Sequence, residues 1–172
     1  MDLFKGLARS HVLSPCGFYR YELRETWAAA DGLLYLGCLN PSTATDDQDD
    51  HTTRKIRGFT ERLGLGGWVL WNLYAYRATH PRDLWQVSDP VGPDNDRHTM
   101  RILNEAAGSP GARILVAWGG NAKLDRVRQV RALLEAAGVS GRTECFGYTA
   151  NAEPLHPLML AYETALEPYL FT

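Results

Sequence analysis

Residues 33–39, Leu-Leu-Tyr-Leu-Gly-Cys-Leu, form an unbroken apolar run that gives way at once to Asn40-Pro41-Ser42-Thr43. An uninterrupted run of this kind predicts an interior strand covered on both faces, and in open α/β sheets ligands collect where such strands end. Residues 68–79 repeat the pattern, with polar positions beginning at Asn72, and residues 113–120 repeat it again, ending in Gly119-Gly120. Residues 18–24 instead alternate apolar and charged positions, which predicts a half-exposed strand. A turn at residues 27–32 would pair that strand with residues 33–39.

Helices are expected between the apolar runs. Ile56, Phe59 and Leu63 are close to helical spacing within residues 52–65, and Gly64 supplies a stop signal. Residues 96–107 and 121–137 read as two further helices, residues 143–148 as a short last strand, and residues 159–166 as a closing helix. Residues 79–95 hold Pro81, Pro90 and Pro93, which makes them a long surface loop. Strands alternating with helices predict an α/β fold in three α/β/α layers, with a central, mostly parallel sheet of four or five strands.

Composition narrows the setting. A chain of 172 residues with 45% hydrophobic content makes one ordinary domain with enough apolar material for a core. A formal charge of −2 gives no whole-molecule electrostatic case for a nucleic-acid partner. Cys16, Cys38 and Cys145 are scattered thiols without Cys-x-x-Cys spacing, which argues against a zinc site and a disulfide framework and suits a reducing cytoplasm. The first ten residues are too short and too charged for a signal peptide, and no apolar run has the length of a membrane span.

Several local clusters bear on chemistry. Asp46-Asp47-Gln48-Asp49-Asp50-His51 could hold Mg²⁺ or Mn²⁺ for a phosphohydrolase, or could be a solvated loop whose carboxylates cap the helix near Thr52. Arg54, Lys55, Arg57 and Arg62, with Arg126, Arg128 and Arg131, could track phosphates or simply be solvated. Gly119-Gly120 could bring backbone amides to a phosphate, but no complete dinucleotide or Walker pattern accompanies it, and there is no Gly-x-Ser-x-Gly elbow.

Gly37-Cys-Leu-Asn40-Pro41, Leu70-Trp-Asn72-Leu-Tyr-Ala-Tyr-Arg77-Ala78, Ile114-Leu-Val-Ala-Trp118-Gly119-Gly120-Asn-Ala122 and His156-Pro157-Leu158 together resemble the ordered motifs of the uracil-DNA glycosylase superfamily. The chain is also similar, over nearly its whole length, to an uncharacterised family, domain of unknown function 1643. That second likeness rests on Leu39-Asn-Pro-Ser-Thr-Ala44, Asn72 to Thr79, Asp89-Pro-Val-Gly-Pro-Asp-Asn95 and Leu155-His-Pro-Leu158. The glycosylase resemblance implies cleavage of an N-glycosidic bond in DNA or a nucleotide, without metal or cofactor. It implies that Asn40 orients a water beneath the sugar and that His156 donates to the departing base. Asn72 would read the base edge, and Gly37, Leu39, Pro41, Ser42, Trp118, Gly119 and Pro157 would complete the substrate site.

Plainer readings stand beside these. Asn40-Pro41 fits a strand end and turn, His156 a surface or capping histidine, and the aromatic residues Trp71, Tyr74, Tyr76 and Trp118 a core. A pocket that binds bases without cleaving them is a further alternative. Two residues separate Gly37 from Asn40 where the enzymes have one. Ser42 stands where the uracil-specific branch has tyrosine, leaving room beside the 5-position, and Leu158 stands where serine is usual. Met159 or Leu160 could wedge into a duplex or belong to the core.

Overall fold

The computed structural model describes residues 7–27, 32–43 and 51–170. Their elements are β1 (Ala8–Leu13), β2 (Arg20–Thr26), β3 (Leu34–Cys38), α1 (His51–Arg62), β4 (Gly67–Asn72), α2 (Asn95–Ala107), β5 (Arg113–Val116), α3 (Leu124–Ala136), β6 (Thr143–Cys145) and β7 (Glu167–Pro168). The strands form one seven-stranded mixed sheet in the order β1-β2-β4-β3-β5-β6-β7. The four central strands, β4, β3, β5 and β6, run parallel, while β1, β2 and β7 are antiparallel to their neighbours.

Period-two alternation on the parallel strands sorts their side chains onto two cores. Leu34, Leu36 and Cys38 of β3, with Trp68 and Leu70 of β4 and Leu115 of β5, meet Ile56 and Phe59 of α1. Tyr35, Val69, Trp71, Ile114 and Val116 point the other way, onto Ile102, Leu103 and Ala106 of α2 and Val127, Val130 and Leu134 of α3. Helices therefore cover both faces, which explains why these strands lack polar positions. Among the described residues, no helix is long and apolar enough to cross a membrane.

Five expectations change. The sheet has seven strands and not four or five, because β1, β2 and β7, each antiparallel to its neighbour, extend the four parallel strands at both edges. The strand at residues 18–24 pairs with β4 and not with residues 33–39, because β3 lies at the centre with β4 and β5 on its two edges. Nor is it half-exposed. Arg20, Tyr21, Glu22, Leu23 and Glu25 are all buried, since helices pack on the sheet and β1 covers the edge of β2. The proline-rich loop contains a 3-10 helix at Pro81–Gln86 that seats Leu84 in the core. Residues 159–166 do not form a helix. A single 3-10 turn, Pro157–Met159, leads into irregular chain whose Leu160, Tyr162 and Leu166 pack on the α1 side. Burying those three side chains overrides the helical propensity of the segment.

Ion pairs tie the antiparallel edge to the helices. Arg24 donates to both Glu105 oxygens of α2, at 2.8 and 2.7 Å, and Tyr35 Oη donates to Glu105 Oε1 at 2.9 Å. The Arg24 bond holds the Glu105 carboxyl below its ordinary pKa, against burial, which pushes it up. Burial, then Glu105, raises the Tyr35 phenol to about 12. Because the folded pKa of Glu105 is depressed, its contribution to stability is in place above the ordinary carboxylate range. It is lost as pH falls through the folded value. Glu105→Gln is therefore expected to flatten the acid-side fall of the melting temperature between about pH 5 and pH 3. Parallel melting curves for the two proteins over that range would contradict the assignment.

Candidate functional site

The carboxyl ends of β3, β4 and β5 open onto two adjoining hollows. The larger, about 540 Å³, is bounded by Leu39, Ala78, Trp118, Gly119, Leu155 and Met159 among others. That volume is in the range of small-molecule sites. The smaller, about 60 Å³, is a recess bounded by Arg20, Cys38, Pro41, Thr53, Leu70 and Asn72. Asn40, Ser42, Thr52 and His156 line both.

Asn40 is held by the chain that continues β4. Backbone bonds from Leu73, Tyr74 and Ala78 to the carbonyls of Cys38, Leu39 and Pro41 carry the pairing past the regular strands. The Asn40 side chain adds its Nδ2, which donates to Pro41 O at 2.9 Å and Ala78 O at 2.8 Å. Both amide hydrogens are thereby used, and the group the side chain can still offer is the acceptor Oδ1.

His156 precedes Pro157, whose fixed φ suits the first position of the 3-10 turn. Its Nδ1 accepts from Leu158 N at 3.2 Å. In the neutral ring this makes Nε2 the N–H donor. Gly119, at φ 71°, turns the chain after β5 directly beside His156, where an added Cβ would sit 3.7 Å from the histidine Cβ.

Asn72, the last residue of β4, is 3% exposed and borders the recess, and its Oδ1 has no hydrogen-bond partner. A buried, unsatisfied amide oxygen is costly, so its retention points to a ligand or an ordered water. The backbone beneath it is pinned. Asn95 Nδ2 donates to the Asn72 and Leu73 carbonyls, both at 3.0 Å, and Arg126 Nε donates to Leu73 O at 2.8 Å.

The larger hollow thus gathers Leu39, Asn40, Ser42, Trp118, Gly119 and His156, and the recess adds Pro41 and Asn72. Gly37 and Pro157 line neither. Gly37 makes room for the Trp71 indole, since a Cβ there would lie 2.5 Å from the ring. Pro157 is buried within its turn. Trp118 is pinned by donating Nε1 to Glu153 Oε2 at 2.6 Å. Of the two amides read as a phosphate cradle at Gly119-Gly120, that of Gly119 is taken, since its N donates to Pro154 O at 2.8 Å.

The basic residues singled out in the sequence are largely engaged within the fold. Arg57 binds Glu25, Arg126 binds Asp96, and Arg131 donates to Tyr169. Lys55 and Arg62 both lie over the Tyr162 ring. The acidic residues 46–50 lie outside the described residues. Among the described residues, no Asp or Glu lines either hollow.

Residues 20–158 match the family described as a protein of unknown function, DUF1643. The chain belongs to that family. No curated protein and no solved structure matches it. The DUF1643 span includes Arg20, Asn40, Asn72 and His156, and also Asp89 to Asn95, whose sequence reads as a motif without an evident task. The structure gives it one. Asp89 Oδ1 accepts from Gly92 N at 2.9 Å, Gly92 at φ 90° lies against the Tyr19 ring, and Asn95 anchors the strand end that presents Asn72.

Arg20, Thr52 and Thr53 were not legible as site residues. Only the fold brings the start of β2 and the first turn of α1 beside the strand ends.

Proposed function

We propose that the protein hydrolyses an N-glycosidic bond, releasing a damaged or modified base from DNA or a nucleotide. The observation that carries this reading is the convergence of three fixed groups at the strand ends: the Asn40 acceptor, the His156 Nε2 donor and the buried, unpartnered Asn72 amide oxygen. In this reading the helix-covered sheet is the three-layer arrangement of the uracil-DNA glycosylase superfamily.

Glycosidic cleavage passes through a positively charged sugar and a base that gathers negative charge, so it needs a placed nucleophile and donors aimed at the leaving group. Asn40 Oδ1 accepts a hydrogen bond from the attacking water and orients it toward the sugar. His156 Nε2 donates to an oxygen of the departing base. Asn72 Oδ1 accepts from a ring N–H and so selects the base by its edge. Leu39, Trp118 and Leu155 form the apolar wall around the sugar and base, and small Ser42 leaves space for a substituent on the ring.

The test is base release, detected by mass, from a panel of natural and 5-modified pyrimidines and deaminated purines offered as duplex, single strand and mononucleotide. Release from at least one member is expected, and failure across the panel would overturn the reading. Tight, salt-dependent binding of a nucleic acid without release would assign the pocket to a binder that lacks the chemistry.

A further inference from the structure

Cys38 is a nucleophile at the strand ends that the glycosidic reading leaves unused. It is the last residue of β3 and pairs in register with Asn72, the last residue of β4. Side chains alternate along a strand, and those of register partners share a face. Leu34, Leu36 and Cys38 lie on the α1 side, as do Trp68 and Leu70, so Asn72 falls on that side too. Both border the recess, Cys38 at 4% exposure and Asn72 at 3%. A thiol is thus set beside a buried amide oxygen that has no hydrogen-bond partner among the described residues.

Size and connection decide what reaches them. The recess has about 60 Å³, and a water needs roughly 10–15 Å³ of such space, so it takes a few water-sized groups while a ring stays in the larger hollow. Asn40, Ser42, Thr52 and His156 wall both spaces, so small molecules enter the recess from the hollow. Asn72 Oδ1 calls for a donor, and a thiol S–H is a weak one. A sulfenic acid at Cys38 places an O–H one bond beyond the sulfur and supplies a stronger donor. Cys145 is wholly buried in the opposite core, across the sheet, and is not placed to convert that group into a disulfide.

We propose that Cys38 is a modification site for small hydroperoxides, whose sulfenic acid is held by Asn72 Oδ1 and fills the recess. The sulfur attacks one peroxide oxygen, the S–O bond forming as the O–O bond breaks. The thiol proton leaves with the departing oxygen, so the sulfur is oxidised and the peroxide is reduced to water or an alcohol. Control of the site rests on the glycosidic reading, since the held O–H takes the acceptor that there serves the ring N–H, and oxidation of Cys38 blocks base recognition. The modification itself stands on the recess alone.

The intact, reduced protein is treated with dilute hydrogen peroxide, and a parallel sample with a bulky aromatic disulfide. Each is quenched, unfolded in dimedone to tag sulfenic acid, and read residue by residue by mass, with exposed Cys16 and buried Cys145 as internal references. Cys38 is expected to form sulfenic acid at least about tenfold faster than Cys145, because susceptibility follows access. The bulky disulfide should modify Cys38 at least about tenfold more slowly than Cys16, because the recess admits only small reagents. In Asn72→Ala, the sulfenic acid at Cys38 should pass to higher oxidation states at least about fivefold faster than in the wild type. A Cys38 that peroxide oxidises no faster than Cys145, one that the disulfide modifies as fast as Cys16, or an unchanged lifetime in a folded Asn72→Ala protein would overturn the proposal. The wild-type rates decide even if the variant does not fold. Base release that persists with Cys38 oxidised would remove the control alone, and sulfenic acid in a protein that releases no base would remove the glycosidic reading alone.

Discussion

Asn40→Ala is expected to slow base release by about 10²–10³-fold, the cost usual for removing one preorganised polar group from a reacting centre. The substitution removes the acceptor that orients the water and the two amide bonds, to Pro41 O and Ala78 O, that fix it. The fold should survive, because Asn40 is only half-buried and the backbone bonds between Leu73, Tyr74 and Ala78 and the loop after β3 do not involve its side chain. Asn40→Asp separates orientation from basicity. An ionised carboxylate cannot donate to the two carbonyls that now hold Nδ2, so it would turn away from them or be repelled. The Asp variant should therefore also fall well below wild type, although aspartate is the stronger base. Single-turnover release, read beside thermal melting, checks both. An Ala variant within threefold of wild type would show that Asn40 does not place the nucleophile.

The parts of the molecule legible in the sequence are those governed by local pattern. β3, β4 and β5 are continuous apolar runs because both faces are covered, and their polar ends announce Asn40 and Asn72. The spacing of Ile56 and Phe59 finds α1 to within a few residues. What was hidden depends on partners distant in the chain. Ala8–Leu13 forms β1 although half its residues are polar and none of its side chains is fully buried, since its hydrogen bonds to β2 hold it in place. Residues 159–166 have helical composition, yet Tyr162 lies against Phe59 and occupies the space left by Gly58, where a Cβ would come within 2.6 Å of its ring. Arg20 followed the period-two pattern in sequence and departs from it in space, because only the register against β1 reveals the bulge. Asn95 is polar at the start of a helix, and its work on the Asn72 carbonyl links residues far apart in the chain.

Glu25→Ala should lower folding stability by about 3–5 kcal/mol, the range for breaking a buried ion pair by removing one partner. The Glu25 side chain is fully buried, while those of Arg9 and Arg57 are 17% and 14% exposed. Arg57 of α1 meets both carboxylate oxygens, at 2.5 and 2.8 Å, and Arg9 of β1 donates to Oε2. Removing the carboxylate takes from two largely buried guanidiniums the acceptor they share. Urea unfolding measures the cost, and Arg57→Ala in the Glu25→Ala background should recover part of it by removing one of the two like charges that the carboxylate held together. No recovery would place the loss in packing and not in charge. The pair also bears on the site, because Arg57 joins the helix whose first turn contributes Thr52 and Thr53 to the recess. Weakening that joint should loosen the α1 end of the recess before it disturbs Asn40, which β4 holds independently.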